Sequence, residues 1–311
     1  MEVQKKVGHD YYAEIAAGRV RLAEADKEAP SALASGLVDE CTVQLLTNKD
    51  GARNDYMCRT RSLQLKLPQD LGLDCDFSNL PEPSWLGLEV EFILNRPWYS
   101  KDDRPLHILD NPVRKDRVFG MPYMAAASWK GLLRWACRMQ EGLVDYLCKN
   151  SMRMDNRKDP PWIVHLFGNE QGEEEKFQKQ GALVFYPTWF SKVSFEVINP
   201  HSRKSRAGTK PIFYEVVPAG TTGTLKLLYA PIPGASRCDC VQPKEVICKL
   251  LTAIQALLET YGISAKRTAG WGTAEIKIWR AFRAGECKES KGIEEFKEII
   301  SDLFQQEGEV V

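Results

Sequence analysis

From Leu86 to Leu94 the chain reads LGLEVEFIL, apolar and polar by turns, which is the period of a strand that buries one face. This run fixes where regular structure begins. Upstream, residues 1–80 offer an Ala/Glu-rich helical stretch from Tyr12 to Ala25, a polar middle and a short alternating run from Leu63 to Leu67, closed by the prolines of Leu80-Pro81-Glu82-Pro83. They are expected to be an N-terminal extension or insertion.

Downstream, Trp129, Leu132, Leu133, Trp135, Ala136, Met139, Leu143 and Leu147 recur at helical spacing behind Ser128, placed as an N-cap. Gly181–Tyr186 and Ser191–Val197 read as a strand pair. Ile212–Val217 and Thr222–Tyr229 read as another, turned by Pro218-Ala219-Gly220-Thr221. A second helix follows Pro243 and stops at Gly262. Thr273–Trp279 alternates as a strand, and residues 286–311 are expected to form a charged C-terminal helix. Strand, helix, strand pairs, helix, strand is the order of an α+β, ferredoxin-like domain over residues 81–285, with an antiparallel sheet, both helices on one face and the other face open to a ligand.

With 311 residues, 43% of them hydrophobic and 27% charged, the chain has the composition of a globular protein. No apolar run reaches the roughly 18 to 20 residues a membrane helix needs, and MEVQKKVGHDYY lacks a secretory block, so no membrane partner and a cytoplasmic location are expected. Nine cysteines without scaffold spacing read as reduced thiols. A net charge of zero excludes bulk attraction to nucleic acid and leaves local patches: Arg114, Lys115 and Arg117; Arg153, Arg157 and Lys158; and Arg203, Lys204, Arg206 and Lys210.

Two loops carry most of the chemistry. Asp110 to Arg134, DNPVRKDRVFGMPYMAAASWKGLLR, runs from acidic through basic residues into small residues and a helix start, where free N–H groups and the helix dipole suit a phosphate. Ser128 and Lys130 lie at that start, and Lys130 and Arg134 share a helix face. More than a hundred residues on, Lys266-Arg267-Thr268-Ala269-Gly270-Trp271-Gly272 offers glycines for close backbone approach beside two cations. Trp271 suits either packing or base stacking. His107 near Asp110 is a possible proton shuttle, and Asp116 is either a helper or an ion-pair partner of its arginine neighbours. Cys238, Cys240 and Cys248 invite zinc but show no evident fourth ligand, so zinc is not expected.

These motifs resemble the RAMP superfamily of CRISPR-associated proteins, in particular the backbone subunits of type III interference complexes, over about Leu86 to Arg280. Met121 to Arg134 looks like the family's helix start, with Ala-Ala-Ser in place of the usual Gly-Ser-Ser. Arg267 to Gly272 looks like its glycine-rich loop, with fewer glycines, and Asp110-Asn111-Pro112-Val113 looks like the loop bearing the target-cleaving aspartate. The resemblance implies an RRM-like RAMP fold with a thumb-like hairpin at about 196–212. It implies guide RNA, target single-stranded RNA and other complex subunits as partners, and metal-dependent endoribonuclease activity. Asp110 would then be catalytic, assisted by Mg2+ or Mn2+ as hard, oxygen-liganded ions. The hairpin's His201, Arg203, Lys204 and Arg206 would contact RNA, along with Arg114, Lys115, Ser128, Lys130, Arg134, Lys266, Arg267, Gly270, Trp271 and Gly272. A non-catalytic scaffold or capping subunit of the same complex is the alternative, and metal-independent guide processing by His107 or His201 is a third.

Overall fold

A computed structural model describes residues 48–61, 65–67, 72, 74–102, 109–116, 118–150, 152, 157–169, 180–199, 211–231 and 241–305. In chain order these form α1 (Lys49–Arg61), β1 (Leu86–Leu94), β2 (Tyr123–Met124), α2 (Ala126–Gln140), α3 (Leu143–Lys149), α4 (Pro161–Phe167), β3 (Leu183–Phe185), β4 (Thr188–Trp189), β5 (Ser194–Ile198), β6 (Ile212–Val216), β7 (Thr222–Tyr229), α5 (Pro243–Gln255), β8 (Ala274–Arg283), β9 (Glu286–Ser290) and α6 (Ile293–Gln305). The main sheet is antiparallel in the order β3-β7-β1-β8-β9, and β2-β4 and β5-β6 form separate two-stranded ribbons.

The alternation in β1 sets the layers. Leu86, Leu88, Val90, Phe92 and Leu94 are all buried. They share one core with Trp129, Leu133, Ala136 and Cys137 of α2, Ile247, Leu250 and Ile254 of α5, and Phe296 and Ile300 of α6. Each such large side chain contributes roughly 1.5–3 kcal/mol by leaving water. Cys137 lies deep enough that burial pushes its thiol far up, with the charge of Asp159 adding, as suits a packing thiol rather than a reactive one.

The mixed α+β fold follows the expectation, with several corrections. The first helix starts at Ala126, with Ala125 and not Ser128 at the cap, because alanines are good helix formers. It ends before Gly142, whose φ of 72° only glycine adopts cheaply, so the run to Leu147 is two helices. Neither strand pair forms as read. β3 pairs with β7, β5 with β6, and β7 with β1. Pro187 lies between β3 and β4, and the turn at Pro218–Thr221 carries the chain from the β5-β6 ribbon into the main sheet. Glu286–Ser290 is an edge strand on β8, not helix. α6 begins only at Ile293, after Ser290 has bonded Gly292 N–H (3.0 Å) and Glu295 (2.6 Å).

The far sheet face is not open. At one end Phe77 lies against Gly87, where any side chain would strike its ring. Along the middle, Lys226 bonds Asp74 (2.8 Å) and Glu89 (3.1 Å), while Arg280 bonds Glu91 (3.4 Å) and Glu289 (3.1 Å). Two cations set among four carboxylates leave this stretch net acidic, which does not suit a platform for RNA. The acidic and glycine-rich loops lie instead at the end of the sheet where β1 finishes and β7 and β8 begin.

Candidate nucleic-acid interface

Antiparallel order puts three connections at that end, and residues 97–102 tie them together. On one side Pro97 O accepts from Gly272 N–H (2.8 Å) and Tyr99 O from Ala265 N–H (2.8 Å). On the other, Ser100 O accepts from Arg114 N–H (2.7 Å) and Pro112 O from Asp102 N–H (3.2 Å). The glycine-rich and acidic loops, remote in sequence, thus flank one short strip. The acidic loop also rests on the β5-β6 ribbon, where Asn111 O accepts from Glu215 N–H (3.0 Å) and Asn111 Nδ2 donates to Phe213 O (3.2 Å). The polar excursion 200–210, with His201, Arg203, Lys204, Arg206 and Lys210, lies outside the described residues, as do His107, Arg117, Arg153, Cys238 and Cys240.

Asp110 sits on this loop with its side chain 74% exposed, its carboxylate accepting from Arg53 Nη2 at 3.0 and 2.9 Å. Asp116, read as a helper or an ion-pair partner, forms a turn here: its Oδ1 accepts from the N–H groups of Val118 (2.8 Å) and Phe119 (3.0 Å). Lys115 is corrected from a surface cation to a buried tie, since its ammonium meets the fully buried Glu215 and donates to Tyr56 Oη (2.8 Å). Glu215 also accepts from Tyr56 Oη (2.6 Å) and Val113 N–H (3.1 Å). One carboxylate thereby clamps α1, the acidic loop and the ribbon.

At the start of α2 no side chain caps the helix and no acid occupies its first turn. Lys130 is exposed and Ser128 half-buried there, so the helix start keeps the donors and positive end that suit a phosphate. Arg134 does not join them. It pairs with Asp159 (2.6 Å), which Arg138 also holds (2.6 Å). Burial would raise the Asp159 carboxyl, but hydrogen bonds from Arg138 and Arg134 and their charges outweigh it and hold it below the usual carboxylate range.

In the glycine-rich loop, Gly270 has φ 76° and open space around it. Gly272 (φ 79°) is corrected from RNA approach to internal packing, because a Cβ there would strike the backbone of Ser264. Trp271 sets its edge against Tyr99 (6.4 Å) and Tyr214 (5.8 Å), which makes it a rim-packing ring. Burial, with Tyr214 and Glu215 nearby, pushes the Tyr99 hydroxyl up to about 12. Lys266 stands over Tyr214 (4.5 Å) and Arg267 over Trp135 (4.4 Å), so both cations flank the loop on aromatic supports. Arg114 is partly buried, with its backbone paired to Ser100 and Tyr123.

Sequence reading missed Arg53, Tyr56 and Glu215. Only Glu215 left a trace, an acid inside the apolar run Ile212 to Val217. Among the described residues no three His, Cys, Asp or Glu gather into a metal cage. The single exposed Asp110 fits instead the way Mg2+ or Mn2+ is held by one carboxylate with substrate phosphates and water. Cys248, half-buried, has its thiol pushed up by burial, which disfavours the thiolate that zinc needs.

The family described as the RAMP superfamily matches residues 82–275 of the chain. No curated protein matches the sequence. Among solved structures, the fold is similar to a chain of the type III-B Cmr-beta complex bound to cognate target RNA (15% identity, 76% of this chain and 68% of that one, TM-score 0.43). It is also similar to a chain of the Csm3-Csm4 subcomplex of the type III-A CRISPR-Cas interference complex (17% identity, 72% and 98%, TM-score 0.42). A CRISPR RNA-guided surveillance complex gives 13% identity over 64% and 68%, with a TM-score of 0.44.

Proposed function

The chain belongs to the RAMP superfamily, and we propose that it is a guide-RNA-binding subunit of a type III CRISPR effector complex that cuts complementary target RNA at Asp110. One observation carries this reading: Asp110 is exposed on a loop built against both the β5-β6 ribbon and the strip that holds the glycine-rich loop. A guide backbone would be gripped by the start of α2 with Ser128 and Lys130, and by Lys266, Arg267 and Gly270 across the strip. The thumb-like hairpin that the family resemblance implies at about 196–212 would separate target from guide and expose one linkage.

RNA supplies its own nucleophile. The 2'-hydroxyl gives its proton to the Asp110 carboxylate and its oxygen bonds to the adjacent phosphorus. The bond to the 5'-oxygen breaks, that oxygen takes a proton from water, and a 2',3'-cyclic phosphate and a 5'-hydroxyl remain. When bound at Asp110, Mg2+ or Mn2+ would offset the charge that gathers on the phosphate oxygens. The protein's share is alignment and proton removal.

The test reconstitutes the chain with guide RNA and partner subunits and offers a target with a single 2'-deoxyribose at the mapped cut. Cutting there should stop while binding persists, and a chelator should stop cutting at every ribose linkage until Mg2+ or Mn2+ is returned. A cut that survives the 2'-deoxy substitution would contradict the reaction. The pairing of Asp110 with Arg53 favours a second reading, a non-catalytic scaffold in which Asp110 only ties its loop to α1. In that case Asp110→Ala would leave cutting by the complex unchanged.

A further inference from the structure

We propose that Arg53, on a helix upstream of the family match, is the positioning residue for Asp110, an assignment that rests on Asp110 being the cutting carboxylate. The asymmetry of the pair is the first reason: the Arg53 side chain is 15% exposed and that of Asp110 is 74% exposed, so a held guanidinium presents a carboxylate that faces solvent. Arg53 is held because α1 is docked at its next turn. Tyr56 reaches the buried Glu215 (2.6 Å) and sets its ring edge-on to Phe195 (6.1 Å), and Arg61 lies over the same ring (5.5 Å).

The contact geometry is the second reason. A single nitrogen, Nη2, reaches both carboxylate oxygens at 3.0 and 2.9 Å, which pins the carboxylate group in place on the guanidinium. A carboxylate has about four lone-pair sites, so others stay available to an RNA hydroxyl or an ion. Exposed ion pairs contribute little to stability, so the pair's main effect is on orientation. Arg53 also places a positive charge where a lone carboxylate would repel the incoming phosphate.

The test uses the full chain reconstituted with guide RNA and partner subunits, comparing Arg53→Ala, Arg53→Lys, Tyr56→Phe and Asp110→Ala by single-turnover cutting at saturating target and by target affinity. Loss of alignment should slow Arg53→Ala by about 10- to 100-fold without weakening target affinity. Arg53→Lys should recover part of the rate, since one ammonium can still meet the carboxylate but from a shorter, less rigidly held stem. Tyr56→Phe loosens the docking of α1 but leaves the guanidinium, and should slow cutting much less. Adding Arg53→Ala to Asp110→Ala should cause no further loss. A wild-type rate for Arg53→Ala, or equal slowing by Arg53→Ala and Tyr56→Phe, overturns the proposal while the Asp110 reading stands. Wild-type cutting by Asp110→Ala removes that reading and this proposal with it.

Discussion

Asp110→Ala should reduce target cutting by about 100- to 10,000-fold, the range a positioned general base contributes, with guide binding and complex assembly at wild-type levels. The side chain is 74% exposed, and the Arg53 ion pair is what holds it among the described residues. Exposed pairs are worth about 0–1 kcal/mol, so the substitution removes chemistry without loosening the fold. Asp110→Asn keeps the shape and should be nearly as slow, since an amide cannot accept the proton. Single-turnover cutting beside a target-binding measurement separates the two effects. Cutting at the wild-type rate by both variants would move the chemistry to another residue.

Glu215→Ala should be the most damaging change to stability. It leaves the Lys115 ammonium, only 9% exposed, without its carboxylate, and takes acceptors from Tyr56 Oη and Val113 N–H. Breaking a buried ion pair by removing one partner costs about 3–5 kcal/mol, which in a domain of this size lowers the thermal midpoint by on the order of 10 °C. Adding Lys115→Met should recover much of the loss, because the stranded charge goes with it. An unchanged midpoint for Glu215→Ala would mean that the cluster is solvated. The same variant should cut slowly although Asp110 is intact, since Glu215 ties the acidic loop to the ribbon and to α1.

What could be read in the sequence were periods, and what could not were partners. Leu86–Leu94 declares its buried face, Trp129 and Leu133 declare theirs, and Gly262 marks the end of the π-helical turns Ala256–Tyr261 that prolong α5, because each signal is local. Strands of two to five residues such as β3, β4 and β5 are too short to specify pairing, and register came from the core they share. The Ala284–Gly285 turn hid β9 behind a charge pattern that also suits a helix. The acidic loop shows the same division. It lies across residues 97–102 from the glycine-rich loop, yet that joining strip has no motif. Asp110 and Asp116 look alike in sequence, and only the fold gives one the turn and the other the solvent. Lys115 could not be told from Arg114, because its partners Tyr56 and Glu215 lie 59 and 100 residues away.

The most direct measurement places a photo-crosslinking residue at position 110 of the reconstituted complex and supplies a target that carries 2'-deoxyribose at the mapped cut, so that bound RNA stays whole. If the side chain at position 110 lies beside the scissile linkage, irradiation joins it to the target nucleotides on either side of that linkage. Crosslinks confined to protein or guide strand, with target cutting mapped elsewhere, would contradict it.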